Sequence, residues 1–80
     1  MKMKYHVTET VFHGLNANET RVINIFPMYK DAYGALLTLL AAYPMTAVIC
    51  HHLQNGDERW IISSAATGEI VAEVDIVYIG

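Results

Sequence analysis

A single cysteine, Cys50, stands in the 80-residue chain, so neither an intrachain disulfide nor a thiolate metal cluster can hold it together. Charge is equally scarce. Charged residues make up 16% of the sequence, against roughly 25% in an ordinary soluble domain. The basic residues are Lys2, Lys4, Arg21, Lys30 and Arg59, scattered along a chain of formal net charge −3. Phosphate-backbone binding needs clustered Lys and Arg, so no nucleic-acid partner is expected. The longest apolar run, Ala35 to Tyr43, is interrupted by Thr38 and is far too short to span a bilayer. The opening MKMKYHVTET has no apolar segment of the secretory kind. A cytoplasmic protein with no membrane partner is the expectation. Phosphate loop, dinucleotide fingerprint and nucleophile elbow are all missing, and no cofactor is expected.

Apolar side chains, by contrast, are abundant at 54% of the chain. They concentrate in AYGALLTLLAAY, Ala32 to Tyr43. At helical period, Tyr29, Tyr33, Leu36, Leu37 and Leu40 form one stripe. Ala32, Ala35, Leu39, Ala42 and Tyr43 fill much of the remaining circumference. A helix this apolar is normally covered on more than one side, and 80 residues supply one small core. A partner on the second side is therefore expected, a second copy of the chain first among the candidates. Gly34 would let the two backbones approach, and Leu39 would sit in the contact of a helix-to-helix homodimer.

The rest of the chain reads as strands. Lys2 to Val11 alternates Met3, Tyr5 and Val7 against Lys4, His6, Thr8 and Thr10, and Arg21 to Phe26 is a β-branched run. Between them, His13 to Asn18 has turn chemistry. Pro27 stops the second strand, and Pro44 ends the helix by turning Tyr43 away from αR. Met45 to Gln54 and Arg59 to Ala65 flank Asn55-Gly56, a strong hairpin signal. A two- or four-residue loop there places Met45, Ala47, Ile49, His51 and Leu53 on one face with Trp60 and Ile62. Val48, Cys50, His52 and Gln54 then fall on the other, with Arg59, Ile61 and Ser63. At the next turn, a three-residue loop ending in αL at Gly68 pairs Ser64 with Ile70, Ile62 with Ala72 and Trp60 with Val74. It keeps Glu73 and Asp75 off the core face. The fold expected is a single α+β domain of order ββαβββ, an antiparallel, mostly meander sheet of about five strands. One helix lies on its Trp60 face. The order of the first two strands in the sheet stays open.

Two groups of residues invite a functional reading. Cys50 and His52 share a face in the expected register with Arg59, Glu73 and Asp75, the inventory of a thiol nucleophile site or of a small enzyme or ligand-binding subunit. His6, His13, His51 and His52 lack metal-ligand spacing, and no metal site is expected. His51 is expected to stack on Trp60. The second group is apolar and acidic. Tyr29, Tyr33, Leu39 and Tyr43 on or beside the helix, and Glu69, Glu73 and Asp75 on a strand interleaved with Val71, Val77 and Ile79, suit a protein partner. The expected function is a non-enzymatic inhibitor or adaptor acting by surface occlusion. That format is common among small proteins encoded by phages and mobile elements against host defence complexes. A purely structural homo-oligomer subunit is the remaining alternative.

Overall fold

In a computed structural model, which describes residues 4–12 and 18–79, the elements follow in the order ββαβββ. They are β1 (Lys4–Phe12), β2 (Asn18–Phe26), α1 (Tyr29–Leu40), β3 (Thr46–His52), β4 (Glu58–Ser64) and β5 (Ile70–Ile79). The expected loop from His13 and the expected strand start at Lys2 and Met3 lie outside the described residues. All pairings are antiparallel, and the strands stand side by side as β2-β1-β5-β4-β3. The N-terminal hairpin therefore joins the C-terminal meander through β1 against β5.

Alternation along β1 and β5 fixes which side is which. Val7 opposite Ile76 and Val11 opposite Ala72 point to one face, and His6 opposite Val77 points to the other. Against the first face lies α1. Its Ala32 and Leu36 are fully buried with Val7, Ile62, Ala72 and Val74, and Ile76 is nearly so. The sheet-facing stripe is thus Ala32, Leu36, Leu39 and Leu40, at i, i+4, i+7 and i+8. Leu37, in one apolar stripe with Leu36 and Leu40 by helical period, is 49% exposed. Leu39, expected at a helix-to-helix contact, packs against the core instead.

The helix also ends sooner than Tyr43. Ala42 N–H donates to the Leu39 carbonyl and Tyr43 N–H to that of Leu40, both at 3.0 Å. These i→i+3 bonds tighten the last turn before Pro44, and Tyr43 drops out of the helix toward the sheet.

The β3–β4 hairpin differs from expectation by one residue, with large effect. Leu53 N–H donates to Asp57 C=O at 2.8 Å and Gly56 N–H to Leu53 C=O at 3.1 Å, with Gly56 at φ 89°. The loop is the three residues Gln54 to Gly56, a turn closed by a left-handed glycine. Asp57 sets that length. Its N–H and carboxylate bond the Asn55 side chain at 3.1 and 2.9 Å, while its other carboxylate oxygen accepts from Tyr78 N–H at 2.9 Å. An odd loop inverts the parity of β3. Val48 faces Ile62, Cys50 faces Trp60 and His52 faces Glu58 on the helix side. His51 lies opposite Arg59 on the other side, so it does not stack on Trp60.

The β4–β5 turn closes with Gly68 at φ 76°, as expected, but spans four residues. Gly68 N–H donates to Ser64 C=O, and Ser64 N–H to Glu69 C=O, each at 2.8 Å. One extra residue in β5, Val71, then restores the register. Ile62 opposes Ala72 and Trp60 opposes Val74, while Ile70 opposes Ser63 instead of Ser64.

Gly34 faces open space, with nothing within 4 Å of a Cβ built on it, and its φ is not positive. Gly34→Ala should therefore raise unfolding stability by about 0.5–1 kcal/mol in urea titrations. A loss of stability would mean that a second backbone occupies the site.

Candidate functional site

Two carboxylates are buried on the helix side of the sheet, Glu9 at 3% and Glu58 at 9% exposure. A buried carboxylate is costly unless it is bonded, and each of these is bonded by a tyrosine from an end of the helix. Tyr29, the first residue of α1, has its hydroxyl 2.9 and 2.7 Å from the two Glu58 oxygens. Trp60 Nε1 donates to the same carboxylate at 3.0 Å. Tyr43, just past the helix, donates its hydroxyl to Glu9 Oε2 at 2.7 Å. Arg21 supplies the cation there, its Nε and Nη2 lying 2.9 and 2.8 Å from Glu9 Oε1. Both ends of the helix are thus tied to the sheet through charge-assisted hydrogen bonds.

An aromatic row runs through the Glu58 clamp. Tyr78, Tyr5, Tyr29, Tyr33 and Trp60 meet in sequence with ring centroids 5.3 to 6.1 Å apart. Three of the residues expected at a partner surface therefore have structural work in the fold. Tyr29 and Tyr43 bind carboxylates, and Tyr33 bridges Tyr29 and Trp60. Glu9 and Glu58 escaped the sequence reading. Glu9 sits in phase with Tyr5, Val7 and Val11, a carboxylate at a core-face position that marked it as needing a donor. A cleft of about 660 Å³ opens beside the Glu9 clamp between Thr20, Arg21 and Ala42. The carboxylate within it is already satisfied by Arg21 and Tyr43.

The opposite face of the sheet carries no covering element among the described residues. Val22, Ile25, Ile49 and Ile79 are 46 to 61% exposed there. Ile61 and Val77 lie between them, partly covered by their neighbours, while Val71 packs against the core. Near the middle sits a charged trio. Arg59 Nε is 3.3 Å from Glu73 Oε2 and 3.5 Å from Asp75 Oδ1. The second approach is not a hydrogen bond, and Asp75 Oδ1 is buried without one. Burial, and then the neighbouring Asp75, push the Glu73 carboxyl above its usual range against the pull of Arg59. Glu69, which the sequence reading grouped with these acids, is exposed in the preceding turn.

The five residues of the thiol-site reading do not come together. Cys50 and His52 lie on the helix side, Sγ to Nε2 at 3.8 Å. Arg59, Glu73 and Asp75 lie on the other side of the sheet, because the odd hairpin loop inverted β3. Burial, with Glu58 nearby, also pushes the Cys50 thiol up, away from the thiolate. Among the described residues no group of three or more His, Cys, Asp or Glu is placed to hold a metal ion. No helix among the described residues is long and apolar enough to cross a membrane. Compared with protein-family models, curated proteins and solved structures, the chain matches none.

The Tyr43 clamp carries a pH signature. Burial and the hydrogen bond to Glu9 push the phenol from 10.0 up to about 12. The folded state then holds this proton more tightly than the unfolded chain. Its contribution is complete below pH 10 and falls away as pH rises toward 12. In Tyr43→Phe, urea titrations should show stability lower by about 1.5–3 kcal/mol at neutral pH, with a weaker decline above pH 10. An unchanged alkaline slope would remove Tyr43 from the clamp.

Proposed function

We propose that the chain is a non-enzymatic protein-binding module, an inhibitor or adaptor that works by covering its partner's surface. The contact is assigned to the open face of the sheet. One observation carries this reading: Val22, Ile25, Ile49, Ile61, Val77 and Ile79 share the face that no helix of the described residues covers. An antiparallel sheet with one wet side ordinarily alternates apolar residues inward with polar ones outward. Here the outer side is polar along β1, at His6, Thr8 and Thr10, but carries Val and Ile on β2, β3, β4 and β5. The face measures about 20 by 30 Å, roughly 600 Å², from strand spacing and rise. That approaches the roughly 800 Å² per partner of a standard interface. Near the centre of the face Glu73 and Asp75 outnumber Arg59. A partner that offers an apolar surface with an Arg or Lys near its centre fits this pattern.

The helix contributes less to this reading than its composition suggested, since the hydroxyls of Tyr29 and Tyr43 are already engaged. The experiment is a competition. A partner captured from the native host on immobilised wild-type chain should be displaced by free wild-type chain and by Leu37→Lys. The double variant Val22→Lys/Val77→Lys should displace it at least about tenfold less well, because it buries unpaired ammonium groups. Equal displacement by the double variant, with loss in Leu37→Lys, would move the contact to the helix.

A further inference from the structure

The two edges of the sheet are not alike. At one edge, β2 carries Glu19, Arg21, Asn18 and Asn24, and its pairing with β1 is broken by a bulge between Val7 and Thr8. Charge and bulges are the usual means by which a natural edge strand avoids pairing with another chain. At the other edge, β3 reads Thr46-Ala47-Val48-Ile49-Cys50-His51-His52. It has no Lys, Arg, Asp, Glu, Pro or Gly, and its register against β4 runs without a shift. Nothing in the sheet order lies beyond it.

Which backbone groups are free follows from the bonds at its two ends. Leu53 N–H donates to Asp57 C=O, and Met45 C=O accepts from Ala65 N–H. In an antiparallel pair, residues bonded to the neighbour alternate with residues whose N–H and C=O point the other way. Ala47, Ile49 and His51 therefore turn their amide groups to β4. Thr46, Val48, Cys50 and His52 turn theirs outward.

We infer that β3 is a self-association edge: two copies of the chain pair through it, antiparallel about a twofold axis at Ile49, to give one continuous ten-stranded sheet. The strand is its own complement in that register. Each outward residue meets an outward residue, Val48 against Cys50 and Thr46 against His52 of the second copy, twice over by symmetry. Ile49 meets Ile49, both 56% exposed in the single chain. One residue beyond the strand at each end, Met45 lies opposite Leu53 of the second copy, and these are 86 and 40% exposed. No charge opposes a like charge anywhere along the contact. Moving the axis by one residue in either direction leaves an outward residue opposite Pro44, which has no N–H, or opposite the Gln54 turn.

The contact is small. A seven-residue strand is about 23 Å long, and a sheet with its side chains is about 10 Å thick, so the area buried is on the order of 230 Å² per partner. That is less than a third of the roughly 800 Å² per partner of a standard interface, so the dimer is weak and forms at micromolar or higher chain concentrations. It leaves the helix free and takes only Ile49 at the rim of the open face, which it extends by joining two of them.

Sedimentation equilibrium from about 1 µM to about 500 µM, the range in which such an affinity is read, should show the 8.9 kDa chain passing to twice that mass. Ile49→Lys, at an exposed position, should keep its circular dichroism and stay monomeric. Register is read by cross-linking. At the axis the Cα atoms of a non-hydrogen-bonded pair lie about 4.5 Å apart, within disulfide reach. Ile49→Cys in a Cys50→Ala background should thus form a disulfide dimer under mild oxidation, while Leu37→Cys in that background should not. A chain monomeric throughout, including one whose β3 accepts only a foreign strand, overturns the inference. So does a dimer that survives Ile49→Lys, or one cross-linked through Leu37→Cys in place of Ile49→Cys.

Discussion

The hydrogen bonds from Tyr29 to Glu58 and from Tyr43 to Glu9 determine where the one helix can lie, and every exposed surface follows from that placement. A helix with Ala32 and Leu36 as its fully buried residues gains little specificity from apolar contact alone. Apolar packing is non-directional, and so small an inner stripe tolerates sliding and rotation. Two directional bonds, one at each end, remove that freedom. They also hold two ionisable groups under the helix, where an unpaired carboxylate would be costly. Glu9 has Arg21 as a counter-charge. Glu58 is satisfied by the Tyr29 hydroxyl and the Trp60 indole.

With the helix pinned over β1, β2 and β5, the described residues hold no second element for the far side of the sheet. That side is as rich in valine and isoleucine as the near one. Small domains bury a limited share of their surface, and this one has spent its helix on one face. The apolar excess and the low charge of the sequence thus map to a sheet face and a sheet edge more than to the helix itself. Both surfaces suit association through protein contacts, and the two are compatible because an edge pairs in the plane of the sheet while a face docks perpendicular to it.

Much of this architecture is legible in the residues. Element order, the single helix, its side of the sheet, the left-handed Gly68 and the pairing of Trp60 with Val74 all follow from alternation and turn chemistry. The β3 faces were misread for one reason: Asn55-Gly56 serves a three-residue loop as readily as a two-residue one. The deciding contact comes from Tyr78 to Asp57, across 21 positions of chain. That single parity separated Cys50 and His52 from Arg59, Glu73 and Asp75. The tyrosine clamps were hidden for a similar reason. Aromatic residues near a helix look alike whether they face a partner or a buried acid, and only the register of β1 and β4 shows that Glu9 and Glu58 lie beneath them. The sheet order was open because nothing local says which neighbour β1 takes.

The claim that directional tyrosine–carboxylate bonds hold the helix is tested most directly by a double-mutant cycle between Tyr29→Phe and Glu58→Met, read by urea unfolding. The account predicts a coupling free energy of about 1.5–3 kcal/mol, the range for a hydrogen bond to a charged group. Additive effects, with no coupling between the two positions, would contradict it.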